Sequence, residues 1–270
     1  MSGLRTPVVF IHGLWLHTSS WNPWIELFRA SGYEPIAPGY PGESANVSDA
    51  RSNPEAVADR GIRDVFEHYS KIIDTLPSAP ILIGHSFGGL LTEKLMGEGL
   101  GLAGVAIDPG QIKGVFAIPF AQLRTGLPVL RNPFNKNKAI SLTKEQFRYG
   151  FGNALPIEES DELFEKWAIP SPVRGVFEVA FANLTYDAAS SVNTKNSDRG
   201  PLLLISGTAD HSAPDVNTRA AFKMYRDSGA VTQLKQFAGR GHFLTVDHGW
   251  NDVALTILNW LKAQKLSEVI

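Results

Sequence analysis

The sequence predicts an α/β protein built on a mostly parallel, doubly wound sheet with an inserted helical segment. Short, continuous apolar runs such as residues 8–11 and 103–107 are typical of strands that are covered on both faces. Between such runs, apolar residues recur every three or four positions, which is the period of a helix with one face on a sheet. Strands that alternate with helices predict parallel pairing through right-handed crossovers.

The first third of the chain follows this alternation. A strand over residues 8–11 ends at His12-Gly13, and Trp21, Trp24 and Phe28 then suit an amphipathic helix. A short strand is expected over 34–38, a loop over 39–54, and a helix within 56–76 that ends at Pro77. In open α/β sheets ligands bind beyond the carboxyl ends of the strands, so the loop after residue 11 should border a site.

Residues 81–89, Ile-Leu-Ile-Gly-His-Ser-Phe-Gly-Gly, join a buried strand to a helix through one tight turn. Such a turn forces Ser86, at its apex, into a strained backbone conformation, and the small residues Gly84 and Gly88 let strand and helix approach. The hydroxyl then stands at the start of a helix, where backbone N–H groups and the helix dipole favour a negative charge. These features identify Ser86 as a candidate nucleophile.

Composition excludes several classes of function. The 270 residues suffice for one domain with an insertion, and 43% hydrophobic and 19% charged residues are ordinary for a globular protein. With 25 basic and 27 acidic residues, a net charge of −2 and no block of like charge, nucleic acid and anionic membranes are not favoured partners. The absence of cysteine excludes disulfides, thiolate catalysis and cysteine metal sites.

No apolar run approaches the roughly 18 residues of a membrane span, so no integral membrane association is expected. Residues 1–7 lack the form of a signal peptide, and a cytoplasmic location is the simplest expectation. No cluster of histidine and acidic residues has metal-binding form, so we expect no metal and no cofactor. The sequence leaves the oligomeric state open.

The pentapeptide Gly84-His85-Ser86-Phe87-Gly88 resembles the G-x-S-x-G nucleophile elbow of the α/β-hydrolases, in the strand-to-helix context that the motif requires. His12-Gly13-Leu14-Trp15 similarly resembles that family's oxyanion loop. The resemblance implies that the backbone N–H groups of Leu14 and Phe87 form an oxyanion hole. It covers residues 7–261, although the chain starts almost directly on the first strand, so the family's N-terminal hairpin is expected to be missing or reduced. The His12 ring is expected to pin the loop by hydrogen bonds.

A serine hydroxyl is a weak nucleophile, so it needs a general base, and the base needs an orienting acid. The family's chain order is serine, acid, histidine. The resemblance therefore implies Asp210, in the strand-Gly-x-x-Asp pattern of residues 202–210, as the acid and His242, in the Gly-rich loop 239–243, as the base.

Other residues compete for these roles. Asp108 also follows a predicted strand, although its neighbour Pro109 makes an ordinary turn carboxylate the favoured interpretation. His211 and His248 are not flanked as His242 is, and His68 is a poorer match. His85 lies on the elbow, and its side chain is expected to point away from the Ser86 hydroxyl.

Residues 111–198 break the strand pattern and separate the core segments 1–110 and 199–270. Three helices are expected at 143–151, 157–167 and 173–184, with no convincing buried strand. So long an insertion resembles the helical cap of the α/β-hydrolases. Aromatic side chains of this cap would roof an apolar pocket, and the candidates are Phe116, Phe120, Phe147, Phe151 and Phe181. Trp15 and His17 either line this pocket or cover their own loop.

These roles describe acyl transfer. The resemblance implies a serine hydrolase of the carboxylesterase or lipase type, acting on small to medium apolar carboxylic esters. Relatives that are haloalkane dehalogenases or epoxide hydrolases place aspartate at the elbow, so Ser86 disfavours those activities. A cofactor-free perhydrolase of the haloperoxidase type, an amide or carbon–carbon bond hydrolase, a hydroxynitrile lyase and a non-catalytic small-ligand receptor stay open as alternatives.

Overall fold

The structure, a computed structural model, describes residues 5–266 and contains a six-stranded parallel sheet. Its strands are β1 (Pro7–Ile11), β2 (Glu34–Ile36), β3 (Ile81–His85), β4 (Ala103–Ile107), β7 (Leu202–Gly207) and β8 (Thr232–Phe237), while β5 (Ala139–Ile140) and β6 (Ser171–Pro172) form a separate antiparallel pair. In space the large sheet runs β2-β1-β3-β4-β7-β8, with every neighbouring pair parallel. The predicted α/β fold class is confirmed.

Helices cover both faces of this sheet. Those outside the insertion are α1 (Asn22–Ala30), α2 (Val47–Ser52), α3 (Ile62–Asp74), α4 (Phe87–Gly97), α9 (Asp215–Met224) and α10 (Trp250–Ala263). Successive side chains of a strand point to opposite faces, so Val8 and Phe10 pack with α1 and α10 while Val9 and Ile11 pack with α3 and α4. The short helix α2 lies in the segment predicted as a loop.

The insertion between β4 and β7 contains α5 (Phe120–Leu130), α6 (Lys144–Gly150), α7 (Ile157–Trp167) and α8 (Arg174–Ala180). The helices predicted at 143–151, 157–167 and 173–184 correspond to the last three. Helix α5 and the β5–β6 pair were not predicted, because Pro119 and Pro128 interrupt the pattern and each strand has two residues. Within residues 5–266, none of the helices combines the length and the apolar character needed to cross a bilayer.

Candidate active site

Ser86 occupies the turn between β3 and α4, with φ 56° and ψ −117°. These angles are unfavourable for a residue with a Cβ atom. The flanking glycines are required by contact: a Cβ on Gly84 would lie 2.0 Å from the Gly88 carbonyl oxygen, and a Cβ on Gly88 would lie 2.1 Å from the Ile11 carbonyl oxygen. The turn therefore has the geometry of a nucleophile elbow.

The carboxylate of Asp210 and the ring of His242 form a buried pair. His242 Nδ1 lies 2.6 Å from Asp210 Oδ2, and Asp210 Oδ1 accepts hydrogen bonds from the backbone N–H groups of Ser212 at 2.6 Å and Ala213 at 2.9 Å. Because the carboxylate is an acceptor, Nδ1 carries the proton, and the lone pair of neutral His242 is on Nε2. This tautomer is the one a general base needs.

The loops that carry these two residues meet at Gly207, the last residue of β7. A Cβ there would lie 2.5 Å from the carbonyl oxygen of Arg240 and 2.6 Å from that of Gly241. The backbone N–H of Ala209 also donates to the Arg240 carbonyl at 2.9 Å. The glycine of the Gly-x-x-Asp pattern thus permits the close approach that brings Asp210 to His242.

Ser86 and His242 lie on adjacent loops but are not hydrogen-bonded. His242 Nε2 is buried without a hydrogen-bond partner, and the Ser86 hydroxyl has no hydrogen bond within residues 5–266. The His242 ring packs on that of Phe151, at 5.1 Å between centroids, and Phe151 lines the same cavity as Ser86. In structures without substrate, catalytic hydrogen bonds are often long and tighten only in the reacting complex.

His85 connects the elbow to the base. Its Nε2–H donates to the main-chain carbonyl of His242 at 2.8 Å, and the two rings lie 4.7 Å apart. Burial, followed by the nearby His242, lowers the pKa of His85 well below its ordinary value, so the ring is neutral. His85 bonds to the backbone of the base loop. The competing histidines bond elsewhere, His68 to Gly39 and His211 to Tyr149, whereas His248 is exposed beside Glu159.

Asp108 corrects one expectation, because it is fully buried and is not an ordinary turn carboxylate. Its Oδ1 accepts from the Gly207 N–H at 2.7 Å, and its Oδ2 has no partner in the described chain. Burial, and then the nearby Asp210 carboxylate, raises the pKa of Asp108 well above its ordinary value. The hydrogen bond from Gly207 links Asp108 to the end of β7, and among the described residues Asp210 alone hydrogen-bonds to His242 Nδ1.

His85, Asp108 and His242 together offer ligand atoms within 4.8 Å of one another, a grouping that the sequence did not predict because the residues follow three different strands. Each of the three side chains already makes a hydrogen bond within the site. His85 donates to the His242 carbonyl, Asp108 accepts from the Gly207 N–H, and the His242 ring bonds to the Asp210 carboxylate. We therefore assign these residues to the geometry of the acid–base pair.

The two N–H groups predicted to form an oxyanion hole belong to Leu14, in the loop after β1, and to Phe87, at the start of α4. The N–H groups of Leu14 and Phe87 have no acceptor within residues 5–266, and both residues line the cavity that contains Ser86. His12 fixes this loop as predicted, because its Nδ1 lies 2.8 Å from the Gly13 carbonyl and its Nε2 lies 2.9 Å from the Glu43 carboxylate.

The Glu43 carboxylate is buried beside the His12 ring. Burial alone would raise the pKa of Glu43, but attraction to His12 and hydrogen bonds from His12 and the Thr18 N–H lower it overall. His12 also stacks on Tyr40, whose hydroxyl donates to the His12 carbonyl at 2.5 Å. Sequence reasoning missed Glu43, because an acidic residue in a loop carries no local signal of a contact thirty positions away.

Residues of the insertion also hydrogen-bond to the loop after β1. The Trp15 N–H donates to Ser171 Oγ at 2.5 Å, and the Trp15 indole N–H donates to the Ile140 carbonyl at 2.9 Å. The His17 N–H donates to the Trp167 carbonyl at 3.0 Å. Ile140 and residues 167–171 thus position the loop after β1, a role that no local sequence pattern indicated.

A cavity of about 280 Å³ opens beside Ser86. Its walls are mostly apolar and come from the elbow, the loop after β1, α5 and α8. One wall carries amides: Asn217 donates to Gln122 Oε1 at 2.8 Å, and Gln122 donates to Gln111 Oε1 at 3.3 Å. The cavity can therefore hold a small apolar group beside Ser86, with a few polar contacts on one side.

The predicted pocket residues divide into four groups. Trp15 and Phe151 line the cavity at Ser86, whereas Phe147 lines a neighbouring cavity of about 270 Å³ under α7. His17 is buried and bonds to Ser19 and the Ser44 carbonyl, so it fixes its own loop. The prediction is wrong for Phe116, Phe120 and Phe181, whose side chains are exposed, because composition does not reveal which side of an insertion faces the core.

Comparisons with known proteins bear on the family and the fold of the chain. The sequence model described as "Alpha/beta hydrolase family" matches residues 8–254. No match is found among curated proteins. A monoacylglycerol lipase from Paleococcus ferrophilus superposes with a TM-score of 0.63 at 21% identity, covering 97% of each chain. A methylesterase from Arabidopsis has a TM-score of 0.66 at 15% identity, covering 96% of this chain and 99% of its own. A Mycobacterium tuberculosis protein described as a non-heme bromoperoxidase has a TM-score of 0.69 at 16% identity, covering 97% and 94%. At these identities the likeness shows the fold.

Proposed function

Because the chain belongs to the alpha/beta hydrolase family, we propose that it is a serine hydrolase that cleaves small to medium apolar carboxylic esters. The observation that carries this proposal is the buried pair of His242 Nδ1 and Asp210 Oδ2, 2.6 Å apart, beside a strained serine that opens into an apolar cavity. A buried carboxylate that orients a histidine next to a partly exposed hydroxyl is the arrangement that activates a serine.

In the proposed reaction, Ser86 Oγ attacks the ester carbonyl and its proton passes to His242 Nε2. The carbonyl oxygen becomes an oxyanion that accepts hydrogen bonds from the Leu14 and Phe87 N–H groups. His242 then gives its proton to the leaving alkoxide, which departs as the alcohol and leaves an acyl-enzyme. A water molecule, deprotonated by His242, hydrolyses the acyl-enzyme and restores the Ser86 hydroxyl.

Substrate size follows from the cavity. Its volume of about 280 Å³ is near the lower limit of the roughly 300–1,000 Å³ common for ligand sites, which favours short acyl or alkyl groups. We propose further that residues 111–198 act as the cap over this site, since α5 and α8 contribute to its walls. The cytoplasmic location stays a prediction.

A second candidate, a non-catalytic small-ligand receptor, is favoured by one observation: Ser86 and His242 are not hydrogen-bonded to each other. The two functions predict different behaviour toward an electrophile. A catalytic serine reacts covalently with a fluorophosphonate, whereas a receptor whose serine is not activated retains its ligand without reaction.

The experiment is a series of p-nitrophenyl esters of increasing acyl length, assayed with the wild type, Ser86→Ala and the exposed-serine control Ser52→Ala. We expect turnover that declines for long chains, a loss of kcat on the order of a million-fold in Ser86→Ala, and unchanged activity in the control. Fluorophosphonate labelling of the wild type, lost in Ser86→Ala, should accompany it. Failure to turn over any ester or to react with the probe, with a small ligand still retained, would favour the receptor.

A further inference from the structure

Helix α5 presents a large apolar surface to solvent. Phe120 and Leu127 lie on one helical stripe, seven residues apart, with 75% and 51% of their surfaces exposed. Phe116 before the helix and Phe134 after it are exposed by 76% and 82%. Large apolar side chains seldom protrude together from a monomeric protein, and such a patch marks an interaction site.

The charge of the same segment is unusual for this chain. Residues 111–144 contain six lysines and arginines and no acidic residue, although the whole chain has a net charge of −2. Arg124, Arg131, Lys136 and Lys138 are exposed, and Arg124 and Arg131 share the outward stripe of α5. Within residues 5–266 no acidic side chain forms an ion pair with any of these four. The balanced total therefore conceals a strongly basic local surface.

This surface borders the mouth of the cavity at Ser86. Ile118 and Leu123 each line that cavity and are also largely exposed to solvent. A partner bound on the outer stripe of α5 would therefore lie next to the entrance of the apolar cavity.

We propose that the outer face of residues 116–138 docks on an anionic lipid surface. A helix with protruding aromatic and aliphatic side chains and with arginine and lysine beside them matches an interfacial helix, whose apolar groups enter the acyl boundary while the cations meet the headgroups. The apolar side chains protrude from α5 and from the segments on either side of it, with the arginines and lysines among them. Chain-wide charge disfavoured anionic membranes as partners, and the local surface reverses that expectation.

Co-flotation with vesicles tests this proposal, using the full chain with Ser86→Ala so that binding is measured without catalysis. We compare phosphatidylcholine vesicles with and without phosphatidylglycerol. Binding should require the anionic lipid and should weaken with added salt. Because binding is measured on a protein without its candidate nucleophile, its result does not depend on the proposed esterase activity.

Two double variants separate the contribution of the positive charges from that of the apolar side chains. Arg131→Gln with Lys136→Gln should weaken partitioning by roughly fivefold for each charge removed, and Leu127→Ser with Phe134→Ser should weaken it at least as much. Control variants on α10, Lys262→Gln and Leu255→Ser, remove an exposed charge and an exposed apolar side chain elsewhere and should bind as the parent does. Thermal denaturation checks that each variant is folded.

Equal vesicle binding by the surface variants and the controls would overturn the proposal. An absence of binding to anionic vesicles would also overturn it. If light scattering then showed a dimer that Leu127→Ser with Phe134→Ser dissociates, this face would be assigned to a second copy of the chain.

Discussion

Glu93 is a buried carboxyl on α4, the helix that follows Ser86, and its ionisation should set how stability depends on pH. Burial raises the pKa of Glu93 from 4.5 to about 7, against the opposing effects of the Tyr225 hydroxyl, which donates to Oε2 at 2.7 Å, and of Arg199. The other carboxyl oxygen, Oε1, has no partner among the described residues. A neutral side chain of the same shape should therefore fit this position.

The sign follows from linkage. The folded protein holds the Glu93 proton more tightly than the unfolded chain does, so stability falls as the pH rises from about 4.5 to about 7 and stays reduced above that range. A displacement of the pKa from 4.5 to about 7 corresponds to about 3 kcal/mol, since each pKa unit is worth about 1.4 kcal/mol. Glu93→Gln removes this ionisation and keeps an acceptor for Tyr225.

Denaturant unfolding of wild type and Glu93→Gln at pH 5 and pH 8 measures the effect. The difference in unfolding free energy, variant minus wild type, should become more favourable to the variant by about 2.5 kcal/mol at the higher pH, because the carboxyl of the unfolded chain is already partly ionised at pH 5. The exposed substitution Glu162→Gln serves as the matched control and should show no such change. If the Glu93→Gln difference were the same at both pH values, the inference that burial governs this carboxyl would be refuted.

Three further changes test the site. His85→Phe removes the hydrogen bond to the His242 carbonyl and should lower kcat about tenfold with little change in KM. Partial recovery of kcat in His85→Gln, together with a shifted pH–rate profile, would distinguish positioning of His242 from a loss of folding. Gly13→Ala places a methyl group 2.8 Å from Ser86 Cβ, so kcat should fall about a hundredfold. An unchanged kcat in this variant would show that the loop moves to accommodate the methyl group without cost to the reaction. Glu43→Gln should lower stability at pH 7. Because the pKa of Glu43 is lowered in the folded state, that stabilisation is present above about pH 4.5 and is lost as the pH falls through the folded value, so denaturation curves of the two proteins should converge in acid.

The strands and the elbow were predictable because their causes are local. Four or five consecutive apolar residues can be buried on both faces only in a central strand, and β1, β3, β4 and β7 are fully buried along their lengths. Gly84 and Gly88 mark a place where two backbone segments nearly touch, and the structure has that contact. A structural feature that depends only on residues adjacent in the chain, such as a buried strand or a tight turn, can be inferred from the sequence.

Helix α5 and the pocket walls were not predictable for the opposite reason. The apolar side chains of Phe120 and Leu127 on the outer stripe of α5 face solvent, so the usual relation between apolar period and burial fails there, and Pro128 lies inside the helix. Phe116 and Phe151 are equivalent in a sequence, yet one is exposed and the other lines the cavity. The side of an insertion that faces the core depends on contacts between distant segments, such as Trp15 with Ser171.

The strained conformation of Ser86 persists because a neighbouring strand end fixes it. A residue in such a conformation costs on the order of 1–3 kcal/mol and survives only where its surroundings determine it. Here the Ser86 N–H donates to the Ile107 carbonyl at 2.9 Å, and the Ser86 carbonyl accepts from the Gly110 N–H at 2.8 Å and the Leu90 N–H at 3.1 Å. Two of these partners belong to the end of β4, where Asp108 also has a positive φ of 44°. The conformation that presents the partly exposed Ser86 hydroxyl thus depends on two strand ends held side by side, which is why the pentapeptide is informative only together with the sheet around it.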